Sequence, residues 1–247
     1  MKESAAEAWS FGERMMGTAA IGIICKAPKP GRTKTRLIPR LGPERAAALA
    51  RAFLIDLSTT IDEAAAAAGC KGYAVCSPDS APVELAAFLP ASFDYVVQTD
   101  PDLGRVLDGA TLELLSRGHE SAILVNGDSP TLPAALLIET ITTLRQPGER
   151  VVFVPALDGG YSIVGLNRRV PEIFAGIPWS TSDVMRRSLE QAERHAVPTK
   201  VLSPWYDIDD EESLDWLIAE LRGAPPAGLV LKGAEAPTTR RVLELEM

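Results

Sequence analysis

The sequence predicts an α/β fold, a single-domain three-layer sandwich on a mostly parallel sheet. Three observations carry that expectation. Short apolar runs alternate with longer segments of helical period from Ala19 onward, the pattern of strands joined by crossover helices. The 247 residues are 46% hydrophobic and 23% charged, ordinary for a globular chain that needs no metal or disulfide staple for its core. No internal repeat or break in composition divides residues 19–221. The prior of roughly 100 to 200 residues per domain therefore resolves to one large domain.

Taken in order, residues 1–18 show no clear period and read as an N-terminal extension. The runs AAIGIIC, GYAVCS, FDYVVQ, SAILVN, VVFVPA and SIVGL are strand-like, with TKVL a weaker seventh. Between them, Pro43 to Ala68 opens with proline at a first-turn position, and Leu103 to Arg117 and Ala134 to Leu144 repeat apolar residues at helical spacing. Residues 222–247 are rich in Ala, Pro and Gly and read as a C-terminal extension.

Charge and cysteine content narrow the function. Twenty-five basic residues against thirty-three acidic ones leave a net charge of -8, so neither nucleic acid nor a membrane surface is an expected partner, and any polyanion site must be a local excess of positive charge. Cys25, Cys70 and Cys76 form no CxxC pair and read as reduced thiols of a cytoplasmic protein. The longest apolar stretch near the N-terminus, Ala19 to Cys25, is far below the ~20 residues of a membrane span. His119 and His195 belong to no HExxH-like pair, which argues against histidine-held zinc.

Ligands of such sheets bind beyond the carboxyl ends of the strands, so the segments just after strands are where chemistry is expected. After the first strand, KAPKPGRTKTRLIPR (Lys26 to Arg40) holds six cations and no acid. Pro28 and Pro30 stiffen it, and Gly31 permits close backbone approach, so amides and cations can converge on phosphate oxygens. The alternative is a solvated basic loop, or a nucleic-acid patch. The segment lacks the glycines of a Walker loop and of the GxGxxG fingerprint, which argues against a P-loop ATPase and a dinucleotide enzyme. Lys26, Ala27, Pro28, Gly31, Lys34 and Arg36 are the expected nucleotide contacts, with Gly104, at the helix start in DPDLGR, as a further phosphate or ribose contact.

Carboxylates follow the later strands. Asp128, in GDSPTLP, is a hard oxygen ligand suited to Mg²⁺ or Mn²⁺, or else satisfies turn amides. Asp207 and Asp209, two apart in WYDIDDEESL, lie on one side of an extended segment and can complete a cation site. Asp209 with Glu212 alternatively reads as a capping box. In DGGYSIVG, Asp158 is either part of a hairpin turn or a base facing an acceptor, with Gly159, Gly160 and Tyr161 lining the acceptor pocket. In PWSTSDV, Trp179, Ser180 and Thr181 suit the same wall, or Ser180 or Thr181 caps a helix.

Together, KAPKPGRTKTRL, DLGR, NGDSPTLP, DGGYSIVGL, IPWST and YDIDDEESL, in this order, resemble a bacterial and archaeal glycosyltransferase family of the nucleotide-diphospho-sugar transferase superfamily, with a GT-A-like fold and some members linked to arsenosugar biosynthesis. The likeness spans roughly Ala19 to Leu221. The family is also similar to guanylyltransferases of molybdenum-cofactor and coenzyme F420 synthesis. The resemblance implies that Lys34 and Arg36 grip phosphate, that Asp128 binds the metal and that Asp207 and Asp209 complete the site. One position departs from the family pattern: where many GT-A enzymes carry DxD, this chain has Asn126, Gly127 and Asp128.

The expected activity is a metal-dependent glycosyl transfer from a nucleotide-diphospho-sugar to a small-molecule acceptor, with Lys34, Asp128 and Asp158 as catalytic residues and Mg²⁺ or Mn²⁺ as cofactor. Two alternatives stay open. One is a nucleotidyltransferase joining a nucleoside triphosphate to a phosphorylated small molecule, and the other is a non-catalytic nucleotide sensor. The sequence also leaves open whether the chain forms a homo-oligomer.

Overall fold

The structure, a computed structural model, describes residues 18–78 and 82–245. Its strands are β1 (Ala19–Cys25), β2 (Lys71–Cys76), β3 (Asp94–Val97), β4 (Ser121–Asn126), β5 (Val151–Pro155), β6 (Tyr161–Leu166) and β7 (Thr199–Val201). Its α-helices are α1 (Ile38–Leu41), α2 (Pro43–Ala68), α3 (Pro82–Ala86), α4 (Leu103–Ser116), α5 (Ala134–Leu144), α6 (Val184–Arg194), α7 (Glu211–Leu221) and α8 (Pro237–Val242). All seven strand-like runs form strands, and α2 and α5 have the expected bounds. Of the expected N-terminal extension, residues 1–17 lie outside the described residues. Among those described, no helix is long and apolar enough to cross a membrane.

The strands form one sheet in the order β3-β2-β1-β4-β6-β5-β7. Pairing is parallel except where β6 runs against β4 and β5, which makes the DGG segment a hairpin between β5 and β6. Both faces are covered. Ile21 and Ile23 of β1, Ile123 of β4 and Val152 of β5 pack with Phe53 and Leu57 of α2, Leu137 of α5 and Leu217 of α7. On the other face, Ala20, Tyr73, Leu124 and Phe153 pack with Leu107, Ala110 and Leu114 of α4 and Ala192 of α6. The alternation of Ala20 and Ala122 against Ile21 and Ile123 in adjacent strands is what strands buried on both faces require.

The chain places β2 and β3 on one side of β1 and β4 on the other. The crevice between the carboxyl ends of β1 and β4 is thus a topological switch point, where open α/β sheets hold their ligands. The basic loop leaves β1 there and the NGD turn leaves β4 there.

Two helix starts differ from expectation. α7 is capped by Asp210, not Asp209: the Asp210 side chain accepts from Ser213 N at 2.9 Å, and Ser213 Oγ accepts from Asp210 N at 3.0 Å. Serine at the third helical position returns the reciprocal bond, and its short side chain meets the cap one residue later than Glu212 would. α6 begins at Val184 after Asp183. Ser180 has φ 64°, outside the extended range of a cap, and Thr181 Oγ1 instead donates to Pro178 O at 2.7 Å.

Candidate active site

The basic loop is held by its own backbone and by a core anchor. Arg32 N and Thr33 N both donate to Lys29 O at 3.1 Å, and a short 3₁₀ turn, Thr35–Leu37, buries Leu37 completely. Lys34, at the hinge between these two, takes the left-handed conformation (φ 48°, ψ 48°). A non-glycine side chain in that region is retained where surrounding contacts over-determine it. Lys34 Nζ lies 2.9 Å from Asp128 Oδ1 and 2.9 Å from Asp209 Oδ1 and also donates to Ile208 O. Its three protons are matched by three acceptors. Burial pushes the ammonium's pKa down, but the two carboxylates outweigh it and hold Lys34 above the usual lysine range.

The carboxylates arrive on separate segments. After β7, Trp205 N donates to Pro155 O at the end of β5 at 2.9 Å, and Ile208 N to Asp128 O at 3.0 Å. The stretch between is pinned by Trp205, Tyr206 and Ile208, all with 1% exposure or less. With Ile208 turned into the core, Asp207 and Asp209 fall on the opposite side of the extended chain, as their spacing predicts. Asp158 reaches the same place from the β5–β6 hairpin, with its Oδ1 accepting from Gly160 N at 2.8 Å. One oxygen each from Asp158, Asp207 and Asp209 lie within 4.8 Å of one another. Asp128 stands beside this trio, paired with Lys34. Burial, then the charges of Asp158, Asp209 and Asp128, push the Asp207 carboxyl up to about 7, with Lys34 pulling the other way.

The donor set fits a hard divalent cation. Oxygens about 2.1 Å from a common octahedral centre are about 3 to 4 Å apart, so three carboxylate oxygens this close can converge on Mg²⁺ or Mn²⁺ with little movement. Charge favours it too. Among the described residues, Lys34 is the one cation in a salt bridge to the group of four carboxylates, Asp128, Asp158, Asp207 and Asp209.

Of the other expected contacts, Lys26, Gly31 and Arg36 are exposed, whereas Ala27 is buried, leaving its backbone as the part suited to a ligand. Gly31 has φ 74°, with nothing within 4 Å of the place a Cβ would take. Gly104 is buried at the start of α4, where a Cβ would stand 2.6 Å from Phe174 O and 3.0 Å from Trp179 Nε1. Its glycine is thus required by packing. Tyr161 is stacked between Phe153 (centroids 5.3 Å) and Trp179 (6.3 Å, nearly perpendicular), which places Trp179 at the rim of the same sheet end. Gly159, φ 94°, lies against Ser182 so closely that no side chain fits, holding the hairpin to the loop that carries Ser180 and Thr181, both exposed.

Sequence reasoning took Asn126 as a lost carboxylate and missed what it does. Its Nδ2 donates to Asp207 Oδ2 at 2.7 Å, and its Oδ1 accepts from Asp128 N at 3.2 Å. A carboxamide at a strand end, one residue before a Gly-Asp turn, is the signal that such a bridge leaves in a sequence.

Comparison with known proteins finds the same fold in transferases. A family profile described as an uncharacterized protein conserved in bacteria (DUF2064) matches residues 60–181. That span carries Gly104, Asp128, Asp158 and Trp179 but neither Lys34 nor the Asp207–Asp209 pair. A solved structure provisionally named a nucleotide-diphospho-sugar transferase, from Desulfovibrio desulfuricans G20, is similar over 92% of this chain and 94% of its own, with 25% identity and a TM-score of 0.75. Two nucleotidyltransferases share the fold at lower identity. They are 4-diphosphocytidyl-2C-methyl-D-erythritol synthase of Anaerococcus prevotii DSM 20548 (14% identity, 84% and 97% covered, TM-score 0.54) and CMP:2-keto-3-deoxy-manno-octonic acid synthetase complexed with CTP (13%, 83% and 99%, 0.52). This chain thus has the fold of the nucleotide-diphospho-sugar transferases, a seven-stranded, mostly parallel sheet between helical layers.

Proposed function

We propose that this protein is a metal-dependent transferase that uses a nucleotide-activated donor, and that it transfers a sugar from a nucleotide-diphospho-sugar to a small acceptor. One observation carries the reading: a cationic loop and four carboxylates from three distant segments meet at the switch point, joined through Lys34. The similarity to the Desulfovibrio protein supports it.

The residues divide the work as follows. Lys34 has its protons on Asp128, Asp209 and Ile208 O, so it first sets the placement of the carboxylates. Contact with phosphate oxygens falls to the exposed Lys26 and Arg36 and to loop amides around Gly31. Asp158, Asp207 and Asp209 would hold Mg²⁺ or Mn²⁺, with Asp128 beside them. A cation there supplies stabilisation of the negative charge that grows on the departing nucleoside diphosphate. Trp179 and Tyr161, with the backbone at Gly159 and Gly160, form the acceptor side.

A second reading is favoured by the place of Asp158. As one of three clustered carboxylates it is poorly free to take a proton from an acceptor hydroxyl, and nucleotidyl transfer to a phosphorylated acceptor needs no such base, because the attacking phosphate is already an anion. Product analysis separates the two: a nucleoside diphosphate released means glycosyl transfer, and pyrophosphate means nucleotidyl transfer. The shared reading is tested by calorimetry of nucleoside di- and triphosphates and sugar nucleotides with and without Mn²⁺. Asp209→Ala, which removes a carboxylate of the trio, is expected to abolish metal-dependent nucleotide binding, and unchanged binding would overturn the assignment; Asp128→Ala is expected to weaken it by freeing Lys34 from its partner.

A further inference from the structure

Asn126 is a neutral side chain that donates to a carboxylate of the acidic group, and its two ends do different things. The Asp128 amide can only donate and an ionised Asp207 can only accept, so the carboxamide has one orientation that satisfies both, oxygen toward Asp128 N and nitrogen toward Asp207 Oδ2. An aspartate at 126 could still accept from Asp128 N. It would have no proton for Asp207, and it would bring a fifth negative charge up to Asp128, Asp158, Asp207 and Asp209.

The bridge also crosses the fold. Asn126 ends β4, and Asp207 lies on the segment after β7 that the chain pins through Ile208 N and Asp128 O. With Asp207 partly buried and its chain neighbours Tyr206 and Ile208 fully buried, the carboxamide is a polar contact that fixes its carboxylate from the β4 side.

We propose that Asn126 is a positioning residue for the cation site: it holds the Asp207 carboxylate in place beside Asp158 and Asp209 by donating to it, and it is a carboxamide because that task needs a donor, not another ligand. This rests on the metal reading above. Partners that orient a metal's ligands typically change affinity by 10- to 100-fold when removed.

The test pairs a metal-free measurement with a binding one. In the metal-free protein, one Asn126 side-chain NH₂ proton is expected to be shifted downfield and protected from exchange in nuclear magnetic resonance, and to lose both properties in Asp207→Ala. An ordinary, rapidly exchanging Asn126 amide overturns the proposal. In Mn²⁺ titrations, Asn126→Ala is expected to weaken binding about tenfold or more, with the melting transition retained. Asn126→Asp is expected to weaken it at least as much; binding as tight as wild type, or tighter, would make position 126 a ligand or a bystander and overturn the proposal. A wild-type protein that takes up no Mn²⁺ refutes the metal reading instead. The amide resonance then decides alone whether Asn126 positions Asp207.

Discussion

The ammonium of Lys34 sits 2.9 Å from Asp128 Oδ1, with 6% of its side chain exposed. The same ammonium reaches Asp209 at 2.9 Å, so one cation bridges carboxylates that follow two different strands, β4 and β7. Lys34→Met is expected to cost about 1 to 2 kcal/mol, because it removes a buried ammonium from two carboxylates that are themselves 38% and 49% exposed and so partly screened by solvent. Urea unfolding checks it. Adding Asp128→Asn to Lys34→Met should recover part of the loss, since one of the stranded charges goes with it; a single-variant loss below about 0.5 kcal/mol would show the pair to be screened by solvent.

The pH dependence of stability has a definite sign at Asp207. Its folded-state carboxyl is pushed up to about 7, first by burial and then by Asp158, Asp209 and Asp128, whereas an unfolded aspartate titrates near ~3.9. The folded form therefore binds the proton more tightly. Its contribution is fully present below about pH 4 and is lost as pH rises through about 7. Relative to Asp207→Asn, the metal-free wild type should lose roughly 1 to 3 kcal/mol between about pH 5 and pH 8, read as the difference between two denaturation series. Parallel pH profiles for the two proteins would rule the effect out.

Much of this was legible before the structure, and the reasons are local. Pro43 to Ala68 carries its helical period and starting proline within itself, and SAILVN or VVFVP declares a buried strand by unbroken apolar content. The spacing of Asp207 and Asp209 alone predicted a shared side. What was not legible depends on contacts between distant segments. Nothing near Lys34 announces that Asp209 will occupy its ammonium, and nothing near Asn126 announces Asp207. The capping role passed from Asp209 to Asp210 because a run of four acidic residues leaves the helix start ambiguous, and Ser213 resolves it only once its hydroxyl is placed.

Gly104 links the packing of α4 to Trp179. Since a Cβ at this position meets Phe174 O at 2.6 Å and the Trp179 indole nitrogen at 3.0 Å, Gly104→Ala must displace the loop carrying both. The expected loss is about 1 to 3 kcal/mol, the range for overpacking a tight contact. Trp179 should move with it. Comparing the indole emission of Gly104→Ala with that of the Trp179→Phe background identifies the tryptophan, and an unaltered spectrum with unaltered stability would show that the contact relaxes freely.

The segment after Leu221 is tied to the body by a buried carboxylate. Asp56, on α2 with 4% exposure, accepts from Thr238 N at 3.0 Å and Thr239 N at 2.7 Å, and so caps α8. The same segment reaches the site's support: Ala234 N donates to Thr131 O at 2.9 Å in the loop that follows Asp128, and Gly233 lies against Glu220, whose Oε2 accepts from Tyr206 Oη. Asp56→Ala strands two backbone donors against the core and is expected to cost about 2 to 4 kcal/mol, two charge-assisted bonds being lost together. Asp56→Asn, which keeps an acceptor for one amide, should fall between. If the segment acts as a brace, limited proteolysis of Asp56→Ala will cut between residues 222 and 236 faster than in wild type, and nucleotide affinity will fall in step, because the loop holding Asp128 loses its outer contact. Faster cleavage with unchanged affinity would confine the brace to stability and leave the Asp128 loop held by Ile208, Asn126 and Lys34.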